Sequence, residues 1–331
     1  MIQPASLVLM SKSAFKSLAR WAVAAALLYW LFKSGKLDGL QNLPRLLLSP
    51  WLFATAAVFL ALNYVLNFFR WQILLKGAHI KVPFSEVVRL SMVGQFFSIV
   101  MPGAVGGDVI KAIYIAKEFP EHKTNGIASI LLDRILGFLT LMLFASLFFL
   151  LSFSNSEVPP ALQGFGTLLS LGTAVLFLCV LLPKRVAALI GKFGLEHPIF
   201  LRIKKTLSAF GRSRYELFMG LFFSFLSQGC AIFGMFMLGD IVYGALPWGD
   251  MDAFRFVSAT AVGTTASAIP LSPMGLGIGQ IAFAKVFKLL GAPTEGHGIV
   301  IISAAQIISF CLNLSGAFWF LRSKKVVTHA E

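Results

Sequence analysis

The chain has 331 residues, 57% of them hydrophobic and only 13% charged, with a formal net charge of +14. That balance excludes a soluble globular domain and indicates a membrane body. Three cysteines without paired spacing and five scattered histidines exclude a disulfide framework and a zinc site, and no phosphate-binding G-x-x-x-x-G-K-[ST] run is present.

In chain order, Lys12, Lys16 and Arg20 lead into a first apolar span, Leu18–Phe32. It ends in Tyr29-Trp30-Leu31-Phe32-Lys33 rather than at a small-residue cleavage site, so it reads as a retained signal-anchor. Further spans are expected at Trp51–Leu75, Ile127–Phe153, Leu162–Leu182, Leu217–Leu238 and Ile299–Leu321. Each is long enough to cross most or all of about 30 Å of hydrocarbon.

Two other apolar stretches are interrupted. Val87–Met101 breaks at Pro102-Gly103-Ala104-Val105-Gly106-Gly107 and resumes from Asp108 to Ala116. Phe254–Ile269 breaks at Pro270-Leu271-Ser272-Pro273-Met274-Gly275-Leu276-Gly277 and resumes from Ile278 to Leu290. Lipid offers no hydrogen-bond partner, so backbone that leaves the helix at membrane depth must be buried in protein or line a wet cavity. Paired interrupted segments in two halves are a mark of inverted-repeat transporters with the site at the breaks.

Most of the 28 Lys and Arg residues fall on one side if both broken segments enter and leave on the same face. Arg70 and Lys76 are counted there as loop charges, with the basic loop from Lys184 to Arg214. By the positive-inside rule that side is cytoplasmic. The expectation is an all-α polytopic bundle of about six spanning helices plus two re-entrant helical hairpins. The halves, 1–155 and 156–331, form inverted repeats of one membrane domain, with both termini cytoplasmic in a bacterial inner membrane. Trp71 and Trp319 are expected in the inner aromatic belt, Trp51 in the outer one. The net charge follows from this bias and from contact with anionic headgroups, so no nucleic-acid partner is implied.

Candidate substrate-binding residues cluster at the breaks. In the first, Pro102, Gly103, Gly106 and Gly107 precede a helix that starts at Asp108, with Lys111 on the same face. A helix N-terminus favours an anion, and Lys111 adds an ammonium, so a phosphate-bearing headgroup fits there. Equally, Asp108 can cap its own helix or pair with Lys111. Asp133 and Arg134 are charges inside the third span, where charge is costly and usually functional. Asp133 is at a depth to pair with Lys111, and Arg134 to reach a headgroup or snorkel.

The second break offers Ser272, Pro273, Gly275, Gly277 and Gln280, at an uncharged helix start. Asn63, Asn67 and Gln95 read as interhelical hydrogen-bonding residues first, and Ser267 as bonding its own backbone. No cofactor or metal is expected.

The run Gly94-Gln95-Phe96-Phe97-Ser98-Ile99-Val100-Met101-Pro102-Gly103-Ala104-Val105-Gly106-Gly107-Asp108-Val109-Ile110-Lys111-Ala112 resembles the flippase-like membrane domain of lysylphosphatidylglycerol synthases. Leu132-Asp133-Arg134-Ile135-Leu136-Gly137 is similar to that family's Asp-Arg motif, and Ile269–Gly277 to its Ser-Pro-Gly-Gly-x-Gly-type motif. Where that pattern continues in an Arg-Glu pair, this chain has Gly279-Gln280. The resemblance implies a membrane domain that moves lipids or lipid-linked intermediates between leaflets, with membrane lipids as partners. An anionic phospholipid or a lipid-linked phosphate is the expected cargo, and a lipid-synthesising protein an expected associate. No lysyl-transfer domain accompanies it, so lipid synthesis is not implied. Rival readings are a transferase acting on a lipid carrier, with Asp250 or Asp252 as its acid, a small-solute or ion transporter, and a non-transporting assembly subunit.

Overall fold

The computed structural model describes residues 49–100, 106–153, 160–182, 214–244, 251–268 and 273–322, with Tyr29, Pro44 and Arg185 as isolated positions. The expected first span, Pro102 and Gly103, Ser272, Asp250 and nearly all of the basic loop lie outside the described residues.

Among the described residues the regular structure is helical. The helices are α1 (Pro50–Gly77), α2 (Phe84–Val100), α3 (Gly106–Glu118), α4 (Lys123–Phe153), α5 (Pro160–Leu181), α6 (Arg214–Tyr243), α7 (Ala253–Ser267), α8 (Ile278–Leu289), α9 (Gly296–Leu314) and α10 (Gly316–Arg322). Short 3-10 turns sit at Pro120–His122 and Pro273–Gly275. Among the described residues, four stretches are long and apolar enough to cross a membrane: Pro50–Gly77, Pro120–Ser152, Arg214–Ile241 and Gly296–Arg322.

Local chemistry sets the helix ends. α1 begins with Pro50 in its first turn, where a missing N–H costs nothing. It ends where His79 turns left-handed (φ 62°), letting Ile80 N–H donate to Leu75 O (2.9 Å). α7 is capped by Asp252, whose Oδ1 accepts from Arg255 N–H (2.7 Å). That bond gives Asp252 a capping role. At α8 the chain turns through Gly275 (φ 71°) and Gly277 (φ 81°), and Gln280 Oε1 accepts from Gly277 N–H (2.8 Å).

The two interrupted segments each fold into an antiparallel helix pair. In the first, Gly94 lies against Gly107 and Arg89 Nη2 reaches Glu118 Oε1 (3.0 Å), so α2 and α3 run side by side in opposite directions. In the second, Ser267 meets Gly279, Gly263 meets Phe283, and the Phe256 and Phe287 rings lie 5.4 Å apart.

The pairs open towards opposite ends of the bundle. α3 is antiparallel to α4, since Asp108 meets Arg134 and Ile115 meets Gly126. Hence α2 runs parallel to α4. α7 runs against α4, with Ser258 at Ala145 (3.3 Å) and the Phe254 ring 6.0 Å from that of Phe148. The Pro273–Gly275 turn packs directly on α2, so the two hairpins touch inside the bundle.

Among the described residues the packing forms two larger apolar cores and a smaller one, Leu141, Met142, Phe144, Ala145, Ile232 and Ala261. One larger core gathers Ala56 and Leu60 of α1 with Met235, Phe256, Phe283, Phe287 and Val300. The other gathers Trp71, Leu74 and Leu75 of α1 with Leu90, Ile115, Leu132 and Leu136. Between them α1 is polar, through Asn63, Tyr64, Asn67 and Arg70.

Two expectations change here. Arg70 is not a loop charge but sits within α1 at 5% exposure, and Trp71 is not in an interfacial belt but is buried at 1%. The expected last span is present as the stretch Gly296–Arg322, with a tightened turn at Ser315, where Gly316 presses on α2: a Cβ there would lie 2.1 Å from Met92 O.

Candidate functional site

The polar band of α1 faces a cavity of about 740 Å³ bounded by α1, α2, α3, α4, α6, α7 and α9. Arg70, Asp108, Asp133 and Arg134 line it, with Asn63, Asn67, Gln95, Gln228, Thr264 and Ser309 among the uncharged polar groups.

Two ion pairs tie its helices together. Arg70 grips Asp133 with a two-pronged contact, Nε to Oδ1 (2.6 Å) and Nη2 to Oδ2 (3.0 Å), while its Nη1 donates to Ser224 Oγ of α6 (3.0 Å). One guanidinium thus links α1, α4 and α6, in the planar geometry that suits Arg and carboxylate. Arg134 holds Asp108 the same way, Nε donating to Oδ2 and Nη2 to Oδ1 (3.0 Å). This second pair joins α4 to the first hairpin.

Exposure separates the pairs. Arg70 and Asp133 side chains are 6% and 12% exposed, whereas Arg134 is 51% exposed against 11% for Asp108. The outward face of α4 explains the difference. Ile127, Leu131, Arg134 and Phe138 follow the 4-3-4 spacing of one helical stripe, and the three apolar members are themselves exposed. All four line the cavity, so its wall passes from ion pair to exposed hydrocarbon without a break.

Lys111 lies behind this rim on α3. Its stem packs where a Gly94 Cβ would be 3.3 Å from Cγ and Cε, and its Nζ is 4.6 Å above the Trp71 ring. A partly buried cation over an indole face is favourable by about 1 kcal/mol. Trp71 is fixed in turn, Nε1–H donating to Ser129 Oγ (3.3 Å).

Asp108, Asp133 and Arg134 are brought together, then, but with different partners from those expected. Asp133 pairs with Arg70 rather than Lys111, and both Asp108 oxygens accept from Arg134 rather than serving Lys111. Adjacent residues on a helix diverge by about 100°, which sends Asp133 inward to α1 and Arg134 outward to α3. Arg70 is the member that sequence reading missed; its signal was an arginine in an otherwise apolar helix.

The second break contributes differently. Pro273 and Gly275 form the tight turn, and Gly279 lets α8 approach Ser267, whose Oγ donates to Gly263 O (2.8 Å). Gln280 is 4% exposed, and its Nε2 donates to Gln306 Oε1 (2.7 Å) and Ser303 Oγ (3.3 Å). From this hairpin the cavity is lined by Thr264, Thr265 and Ala268. Asn63 and Asn67 bond Ser227 of α6 as interhelical residues should, Asn63 Nδ2 donating to its carbonyl (2.9 Å) and Ser227 Oγ to Asn67 Oδ1 (3.1 Å).

Fold and cavity define a polytopic helical membrane protein with a charged cavity among its helices, walled on one side by exposed apolar residues of α4. The chain belongs to the lysylphosphatidylglycerol synthase TM region family, whose pattern matches residues 17–316. It is similar to a UPF0104 membrane protein of Pyrococcus horikoshii, 22% identical over 294 residues, covering 79% of this chain and 84% of that one. No solved structure matches it.

Proposed function

We propose that this chain moves phospholipids, or lipid-linked phosphates, between leaflets by alternating access. The headgroup lodges beside Arg134 and Asp108 while the acyl chains stay in lipid along α4. The observation that carries this reading is the half-exposed Arg134 guanidinium set in an apolar stripe that lines the same cavity. A solute site would be expected to close off its hydrocarbon side; a lipid site has to leave it open.

The architecture behind this reading is about six spanning helices with two re-entrant hairpins, in inverted halves 1–155 and 156–331, within the bacterial cytoplasmic membrane. Both termini are cytoplasmic. In support, the hairpin arms have 17, 13, 15 and 12 residues. At about 1.5 Å per residue, each falls short of a bilayer's hydrocarbon thickness. The opposite sense of the two hairpins is what an inverted repeat requires. Membrane lipid is the partner, and movement is facilitated or gradient-driven.

The test is transbilayer movement of a headgroup-labelled phospholipid in vesicles containing the purified protein. Wild type should speed movement well above protein-free vesicles, and Arg134→Ala, in a form that still elutes as a folded protein, should return it to near baseline. Undiminished movement in Arg134→Ala would remove this residue from the mechanism.

A further inference from the structure

Taking that translocase reading as its basis, we infer that the site selects headgroups carrying one net negative charge: a single phosphodiester whose other groups are neutral. The argument is a charge count over the cluster. Arg70, Lys111 and Arg134 supply three cations, and Asp108 and Asp133 supply two carboxylates.

Both carboxylates are fully engaged. Asp133 gives its two oxygens to Arg70, and Asp108 gives its two to Arg134. Lys111 interacts electrostatically with all four of those groups, yet no described carboxylate lies within ion-pair distance of it. Its close partner is the neutral face of Trp71. Among the described residues, then, the cluster holds one more cation than carboxylate, and a charge among packed apolar helices is costly without a counter-charge.

A phosphodiester supplies that counter-charge. It can lie against the half-exposed Arg134 side chain while its field balances Lys111 behind the rim. A zwitterionic headgroup brings a second ammonium and restores the excess. An aminoacylated headgroup with a net positive charge worsens it, and a dianionic headgroup overshoots. Selection here is a difference of electrostatic free energies, enlarged by the low dielectric of the site.

The experiment compares phosphatidylglycerol (net −1), phosphatidylethanolamine (net zero) and lysylphosphatidylglycerol (net +1) in vesicles containing wild type, Lys111→Met or Lys111→Arg. Wild type should move phosphatidylglycerol about tenfold faster than either of the others. Lys111→Met should bring the three rates together, and Lys111→Arg should restore the preference. Labelled inorganic phosphate should not enter the same vesicles. Equal movement of all three lipids by wild type, or a preference unchanged in Lys111→Met, would overturn the charge selection and leave the translocase reading intact. Phosphate entry faster than lipid movement would assign the anion site to a free ion. If no lipid moves faster than in protein-free vesicles, both readings fall.

Discussion

Asp133 and Arg134 are neighbours in sequence but hold different parts of the molecule, and their substitution should separate stability from transport. Asp133→Asn leaves the Arg70 guanidinium buried without its carboxylate, which costs about 3–5 kcal/mol. Thermal unfolding in detergent should show that loss, and the double replacement Arg70→Met with Asp133→Leu should recover much of it. A single variant as stable as wild type would mean that the pair is not a structural tie. Arg134, half exposed, should affect lipid movement far more than unfolding, since a pair with one solvated or lipid-facing partner contributes little to stability. At this scale the sequence exposed the charges but not their pairing. Arg70 reads as one more cation in a basic stretch until the helix is seen to carry it seven residues before its end, at Gly77 of α1. The partner choice then depends on how α1, α4 and α6 face each other, which no local pattern encodes.

Each hairpin depends on small residues where its arms meet. Gly107 is the sharpest case: a Cβ there would lie 2.3 Å from Gly94 O and 2.5 Å from Ser98 Oγ. Backbone cannot yield as a flexible side chain can, so Gly107→Ala should destabilise the fold by about 1–3 kcal/mol. The measurement is the shift of the unfolding midpoint. Gly164→Ala, where a Cβ meets nothing within 4 Å, serves as the control. Equal midpoints for the two variants would contradict the close approach of α2 and α3. Interrupted segments and their positions were legible from Pro and Gly alone, and so were the four long apolar helices. The tightened turn at Ser315 was not. Its cause is tertiary, the seating of Gly316 on Met92 O, while the surrounding residues are as apolar as an unbroken span.

Among the described residues, the two larger of three apolar cores flank a polar layer, and the two helix pairs touch there from opposite ends. Helices in lipid gain little from hiding apolar surface from one another, so packing and polar contacts hold this layer together. The same contacts leave one side of the cavity lined by Ile127, Leu131 and Phe138, where acyl chains can lie. Composition announced a membrane protein, and the breaks announced where the paired helices stop and restart. The lateral face became visible only when the α4 stripe and the cavity were found to share residues. The central claim is that a lipid headgroup occupies this cavity at Arg134. Mass spectrometry of lipids retained by gently purified wild type and Arg134→Ala, set against bulk membrane lipid, tests it most directly. The account predicts one phospholipid class enriched on wild type and reduced to its bulk proportion on the variant. Retained lipid of bulk composition on both, or the same enrichment on both, would contradict it.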